Sequence, residues 1–341
     1  MKLEDENDVT ESGEKETIAT AAKYRQLFPN LLDPQKSNIE VGVTTKIRTN
    51  QTADAFIKGV QKYSGCQSDE DIDSEWDDEE QVYNWKPEKI EKDFLLFHSM
   101  CKEKIKQKSG KLPKFKTLKD FRKSELMTKI GEAVKMRLGL QREIDFSIID
   151  ALVKTCAYEY ATYNDSPWCA LFTNTELQVM EYYYDLKDYL EDAYGSTTYA
   201  SSCLLFKDLL QKLNNSLSEP KKRNSYLYFS HAGALKRLWA TLGLFSDQRL
   251  LLSTEPHRDF CDRRNRMWRT SLNTPFGAHL AIILYKCRQE KSDQLTFKLL
   301  TTVNTAPVTV KGCDGPVCDI SQFQREYEPF ANECDLDTLC V

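Results

Sequence analysis

The sequence predicts an α/β sheet domain interrupted by a helical insertion, and three stretches carry the prediction. The chain opens in a helix–strand–helix order. Glu14 to Leu32 reads as an amphipathic helix, "EVGVTTKI" at 40–47 as a strand by its β-branched content, and "ADAFIKGV" at 53–60 as the start of another helix. From about 66 to 200 strand signals are scarce, and long helical patterns such as "IDFSIIDALVKTCAYEYA" and "TELQVMEYYYDLKDYLEDAY" take over. Alternation then returns, with a helix at 201–214, a Pro-Lys-Lys-Arg-Asn turn and a strand at 225–230. A helix from about 234 and strands at 279–286 and 297–303 follow. A helical block lodged between two α/β segments reads as one sheet split by an insertion. The expected domains are 1–65 as part of the large α/β domain, 66–200 as a helical cap, 201–310 as the rest of the α/β domain, and 311–341 as a cysteine-rich tail.

Composition narrows the function classes. Hydrophobic residues make up 40% of the chain and aromatics 11%, enough for a core, while a net charge of −5 argues against a general nucleic-acid binder. No apolar run approaches the ~18 residues that span a bilayer; the best, "HLAIILY" at 279–285, has strand length. Eleven cysteines and three sequons (Asn50-Gln51-Thr52, Asn164-Asp165-Ser166, Asn214-Asn215-Ser216) fit a secretory lumen. Yet "MKLEDENDVTESGEKET" is polar and is no signal peptide, and the cysteine number is odd. One hypothesis covers all three observations: the chain has lost its beginning. In the tail, Cys313, Cys318, Cys334 and Cys340 have no histidine nearby, so the spacing favours disulfides over a zinc site.

Few candidate sites survive weighing. Asp69, Asp71, Asp73, Glu75 and Glu80 fall on calcium-loop positions, but Ser74 stands where the sharp-turn glycine belongs, so a solvated acidic loop is the better reading. Eleven of the 28 residues at 102–129 are Lys or Arg, which reads as a solvated helical face or, more sharply, as a wall that attracts a polyanion. Neither a G-x-S-x-G elbow, a P-loop, an H-E-x-x-H helix nor a dinucleotide fingerprint occurs. His98 and His279 keep apolar company and read as core or surface residues, and His257 lies in the basic loop "EPHRDFCDRRNR". His231 differs, because it stands where a strand meets a helix, the place where α/β sheets put ligand-binding groups.

Around that position the chain resembles the histidine acid phosphatases. "SHAGAL" after a strand is similar to the second active-site motif of that family. "SPWCALFTNTELQVMEYYYDLKDYLEDAYG" at 166–195 resembles its Ser-Pro-Trp-Cys segment and the Tyr-x-x-Asp-Leu-x-x-Tyr run that follows. "KIRTNQTADAFIKG" at 46–59 resembles the segment in which an Arg precedes Ala-x-Ala-Phe-x-x-Gly. The likeness runs from about residue 9 to 305 and is greatest to the multiple inositol polyphosphate phosphatase branch, whose motif reads His-Ala-Glu.

The resemblance implies a phosphoglycerate mutase-like (histidine phosphatase) sheet domain with an inserted all-helical cap. It also implies hydrolysis of phosphomonoesters through a phosphohistidine, with inositol polyphosphates such as phytate, and 2,3-bisphosphoglycerate, as substrates. Neither a metal nor an organic cofactor is implied. Residue by residue, Arg48 matches a phosphate-binding Arg, and His231 matches the catalytic second-motif His that holds a phosphoryl oxygen. Gly233 fills the proton-donor place, and the neighbouring Ala232 is no acid either. The nucleophile motif Arg-His-Gly-x-Arg-x-Pro is absent from the chain, which is expected to start after that motif and so to lack the first strand region. Two expectations follow: a phosphatase of this branch whose own residues leave it inactive, or a pseudophosphatase that binds polyanionic inositol phosphates without turnover.

Overall fold

A computed structural model describes residues 8–62, 85–100, 113–247, 265–288 and 295–335. The acidic loop at 68–80, the basic residues 102–112, His257 and Cys340 lie outside the described residues. The chain forms two compact units, Met1–Leu96 with Gln211–His231, and Phe97–Leu210 with Ala232–Val341.

Among its described residues, the first unit holds a parallel sheet, two whole helices and the last turns of a third. Helix α1 (Glu11–Leu27) starts at Thr10, whose hydroxyl accepts the Gly13 N–H at 3.1 Å and so satisfies one orphan donor of the first turn. It lies against α2 (Ile47–Lys62) at Gly59, where a Cβ would come within 2.4 Å of the Ile18 carbonyl oxygen and 2.6 Å of Ala21 Cβ. Only a residue without a side chain permits that approach.

Between the helices runs β1 (Asn38–Val43). It pairs in parallel with β2 (Lys89–Glu91) on one side and β3 (Asn224–Tyr228) on the other. The chain therefore leaves β1 for β2 in one direction and places β3 in the other, which makes the carboxyl ends of β1 and β3 a topological switch point. Val41, Val43 and Ala53 form its core, with Trp85, Leu227 and Phe229 packed on them. Gly42 makes room for a neighbour in the sheet, since a Cβ there would meet Tyr228 Cδ1 at 2.7 Å.

Two local expectations shift. The strand expected over 40–47 ends at Val43 and α2 begins at Ile47, because the Thr44 hydroxyl accepts the Lys46 N–H at 3.3 Å and turns the chain. The segment 66–200 is helical over much of its described length, but "KIE" at 89–91 is a strand, three residues too few to show a period of two.

The second unit carries the helices α3 (Phe97–Met100), α4 (Pro113–Arg122), α5 (Glu125–Arg137), α6 (Phe146–Tyr163) and α7 (Asn174–Asp192), and the start of α8 (Cys203–Ser218). After α9 (Ala232–Thr241), an antiparallel sheet of β4 (Leu280–Arg288), β5 (Leu295–Val303), β6 (Ala306–Pro307) and β7 (Val317–Asp319) leads into α10 (Ile320–Asn332). Helix α7 starts in a capping box between Thr173 and Glu176 and buries Val179, Met180, Tyr182, Tyr183, Leu186, Tyr189 and Leu190. Among the described part of the basic stretch, α4 and α5 turn Leu118, Phe121, Met127 and Ile130 inward, while Lys116, Lys119 and Lys129 stay exposed.

Covalent and ionic ties hold this unit. Disulfides join Cys156 to Cys169, Cys203 to Cys334 and Cys313 to Cys318. Asp185 is fully buried on α7 and accepts from Arg266 and, at 2.7 and 2.8 Å, from the Thr270 N–H and hydroxyl. Arg237 on α9 is buried as well, donating to Asp192, Ser201 Oγ and the Phe97 carbonyl. Among the described residues no helix is long and apolar enough to cross a membrane.

Candidate functional site

At the carboxyl end of β1 the chain reads Thr44-Thr45-Lys46-Ile47-Arg48, and at the carboxyl end of β3 it reads Phe229-Ser230-His231. Parallel pairing sets these two ends side by side, with Gly42 in register with Tyr228. The Phe229 N–H continues the ladder onto the Gly42 carbonyl at 2.9 Å, and Ser230 Oγ donates to the Leu95 carbonyl at 2.6 Å. The backbone leading to His231 is thus tied on both sides.

The imidazole is held at both nitrogens. Its Nδ1 lies 3.3 Å from Arg48 Nη2 and its Nε2 lies 3.1 Å from Thr44 Oγ1. Thr44 and Thr49 are buried and their hydroxyls sit 3.0 Å apart; Thr49 Oγ1 in turn donates to the Lys46 carbonyl at 2.7 Å. Asn50 Nδ2 donates to the Thr44 carbonyl at 3.4 Å, so the amide of that sequon is engaged in the same loop. Arg48 itself is exposed, on the first turn of α2. The result is a cation and an imidazole that share one solvent-facing edge above a buried hydroxyl pair, which suits an anion with several acceptor oxygens.

Gly233 belongs to the first turn of α9, and its φ is not among the positive values found at Gly139, Gly243, Gly277 and Gly312. The backbone there places no demand for glycine. A Cβ at Gly233 would instead meet the His98 ring, at 3.0 Å from Cδ2. His98 is half-buried against Phe97, and His279 Nδ1 is 2.9 Å from the Gly277 carbonyl.

The sequence profile of the histidine phosphatase superfamily (branch 2) matches residues 1–302. The chain belongs to that family. It is 27% identical over 228 residues to multiple inositol polyphosphate phosphatase 1 of Gallus gallus, covering 64% of this chain and 50% of the relative. Its identity to the Homo sapiens protein of the same name is 22% over 343 residues, covering 97% and 68%. The chain thus spans about half the length of the avian relative. Among solved structures, the phytase of D. castellii superposes with a TM-score of 0.67 at 18% identity, over 98% of this chain and 67% of that one. The Bifidobacterium longum multiple inositol polyphosphate phosphatase in complex with inositol hexasulfate gives 0.66 at 11% identity, over 92% and 78%. At such identities the superpositions speak to fold, and the fold is the expected one: the histidine phosphatase α/β domain with a helical cap.

Of the residues singled out in the sequence, Arg48 and His231 meet, although 183 positions separate them. Thr44 and Thr49 were not singled out, because "VTTKIRT" shows β-branched content and nothing of which hydroxyl turns inward.

Proposed function

We propose that this chain is a multiple inositol polyphosphate phosphatase-like protein in which Arg48 and His231 hold a phosphate of an inositol polyphosphate such as phytate. 2,3-Bisphosphoglycerate is the smaller ligand of the same chemistry. The observation that carries the reading is the meeting of the Arg48 guanidinium and the His231 ring at the β1/β3 switch point.

A phosphomonoester dianion repels nucleophiles, so positive groups must be fixed before chemistry can proceed. A phosphoryl oxygen entering between Arg48 Nη2 and His231 Nδ1 takes a hydrogen bond from the guanidinium, and one from Nδ1 once the ring has taken up a proton from solvent or from the phosphate. Lys46, two residues before Arg48, is exposed as well and adds positive charge to the same loop. The three disulfides among the described residues support work in an oxidising compartment such as the secretory lumen.

Gly233 favours a second reading. An alkoxide leaves poorly unless protonated, and a general acid contributes roughly 10²–10⁴-fold. A glycine supplies no proton. The second reading is therefore a pseudophosphatase that binds inositol phosphates and does not turn them over.

Calorimetry and a phosphate-release assay on the unaltered chain separate the two. Release of inorganic phosphate from inositol hexakisphosphate at acidic pH, abolished by His231→Ala, supports the phosphatase. Salt-sensitive binding without release supports the binder. Arg48→Ala should weaken that binding by roughly 10–100-fold, the equivalent of losing a charge-assisted hydrogen bond. Absence of binding heat with every inositol phosphate, in a chain that melts cooperatively, would exclude both.

A further inference from the structure

We infer that Thr44 is a positioning residue that holds the neutral His231 ring in its Nε2–H form, so that Nδ1 is the nitrogen that takes up the proton with which the ring meets the ligand. This rests on the reading of His231 as a phosphate ligand, and adds to it which nitrogen acts and what fixes it.

The argument starts from a donor-only group. A guanidinium has no acceptor, so the ring nitrogen 3.3 Å from Arg48 Nη2 must accept, which leaves Nδ1 without a proton. A neutral imidazole then carries its proton on Nε2 and donates it to Thr44 Oγ1 at 3.1 Å.

The Thr44 oxygen also accepts the Lys46 N–H at 3.3 Å. Both its lone pairs are now used, and its own proton goes to Thr49 Oγ1 at 3.0 Å. Thr49 can accept that proton because it donates its own to the Lys46 carbonyl at 2.7 Å.

Reversing the chain fails. If Thr44 donated to Nε2, the ring proton would sit on Nδ1 and point at the guanidinium N–H. With Thr44 only 1% and Thr49 only 3% exposed, water offers the hydroxyls little alternative partner. The order of donors is thus set from the Lys46 backbone outward to the ring.

Nitrogen-15 spectra of the four histidines, with His231 assigned by its loss in His231→Asn, test this without any ligand. At a pH where the ring is neutral, His231 should show a protonated Nε2 and an unprotonated Nδ1. Thr44→Ser should keep that pattern and a slowly exchanging Nε2–H. Thr44→Val should speed the exchange and weaken inositol hexakisphosphate binding by roughly 3–10-fold, the worth of one neutral hydrogen bond. A protonated Nδ1 in the unaltered chain overturns the inference, and that measurement stands even if the valine variant does not fold. So would a folded Thr44→Val chain with unchanged exchange and affinity. Failure of the unaltered chain to bind inositol hexakisphosphate counts against the phosphate-ligand reading and leaves the spectrum to judge the tautomer.

Discussion

The two units use their polar residues for opposite purposes. In the Met1–Leu96 and Gln211–His231 unit, the polar cluster of Arg48, His231, Thr44 and Thr49 sits at strand ends with its charged edge exposed. In the other unit, Arg266, Asp185 and Arg237 are buried and paired. A group that must meet a ligand keeps one edge in water, where charge costs little. A group that ties elements together can be desolvated only when it is fully paired. The difference teaches where to look for chemistry in this fold: at the exposed end of an ordered hydrogen-bond chain, not at the most buried ion pair.

The strongest way to break the comparison is to remove the longest staple among the described residues. Replacing both Cys203 and Cys334 by Ser opens a loop with a sequence separation of 131. In the chain-entropy picture this costs about 5 kcal/mol, against about 3 for Cys156–Cys169 and about 2 for Cys313–Cys318. Denaturant unfolding followed by hydrogen exchange should show the loss in the second unit, with β1 and β3 amides protected longer than β4 and β5 amides. Asp185→Asn comes next, since it leaves the Arg266 guanidinium buried without its main counter-charge. It should destabilise that unit by about 3–5 kcal/mol in a thermal melt, and leave the nitrogen spectrum of His231 unchanged.

Within the first unit the expected effects are smaller. Gly59→Ala forces α1 and α2 apart against backbone, and should cost about 1–3 kcal/mol by denaturant titration. The smallest effect is a pH dependence of opposite sign in the two units. Burial alone would raise the Asp33 carboxyl, but the Gln35 N–H, Lys36 and Arg25 together hold it below its usual value. A depressed carboxylate stabilises the fold above its unfolded value of about 3.9 and loses that contribution as pH falls through the folded value. Asp188 in the second unit goes the other way: burial raises it, outweighing Lys236. Its ionised form is disfavoured in the fold, so stability falls as pH rises from the unfolded value through the raised one. Asp33→Asn should therefore flatten the acid limb below about pH 4, and Asp188→Asn the limb above it. Identical pH profiles for both variants and the unaltered chain would show that these shifts do not govern stability.

Much was legible in the sequence because it is local. Helical periodicity announces α6 and α7, the return of helix–strand alternation announces β4 and β5, and the strand-to-helix junction marks His231. Arg48, His231 and Gly233 came from motifs a few residues long, and a motif of that size survives in one dimension. What escaped was whatever depends on a partner far along the chain. The strand at Lys89–Glu91 exists because β1 offers it a ladder, not because three residues favour one. Cys203 finds Cys334 only once α8 and the chain after α10 are folded, so eleven cysteines could suggest disulfides but not which ones. Thr44 and Thr49 look like ordinary β-branched residues until the turn after β1 buries their hydroxyls and β3 brings His231 alongside. The sequence alone determined which side chains make up the proposed phosphate site. Tertiary structure decided which partner each nitrogen of His231 meets, because Thr44 and Arg48 reach the ring only through strand pairing.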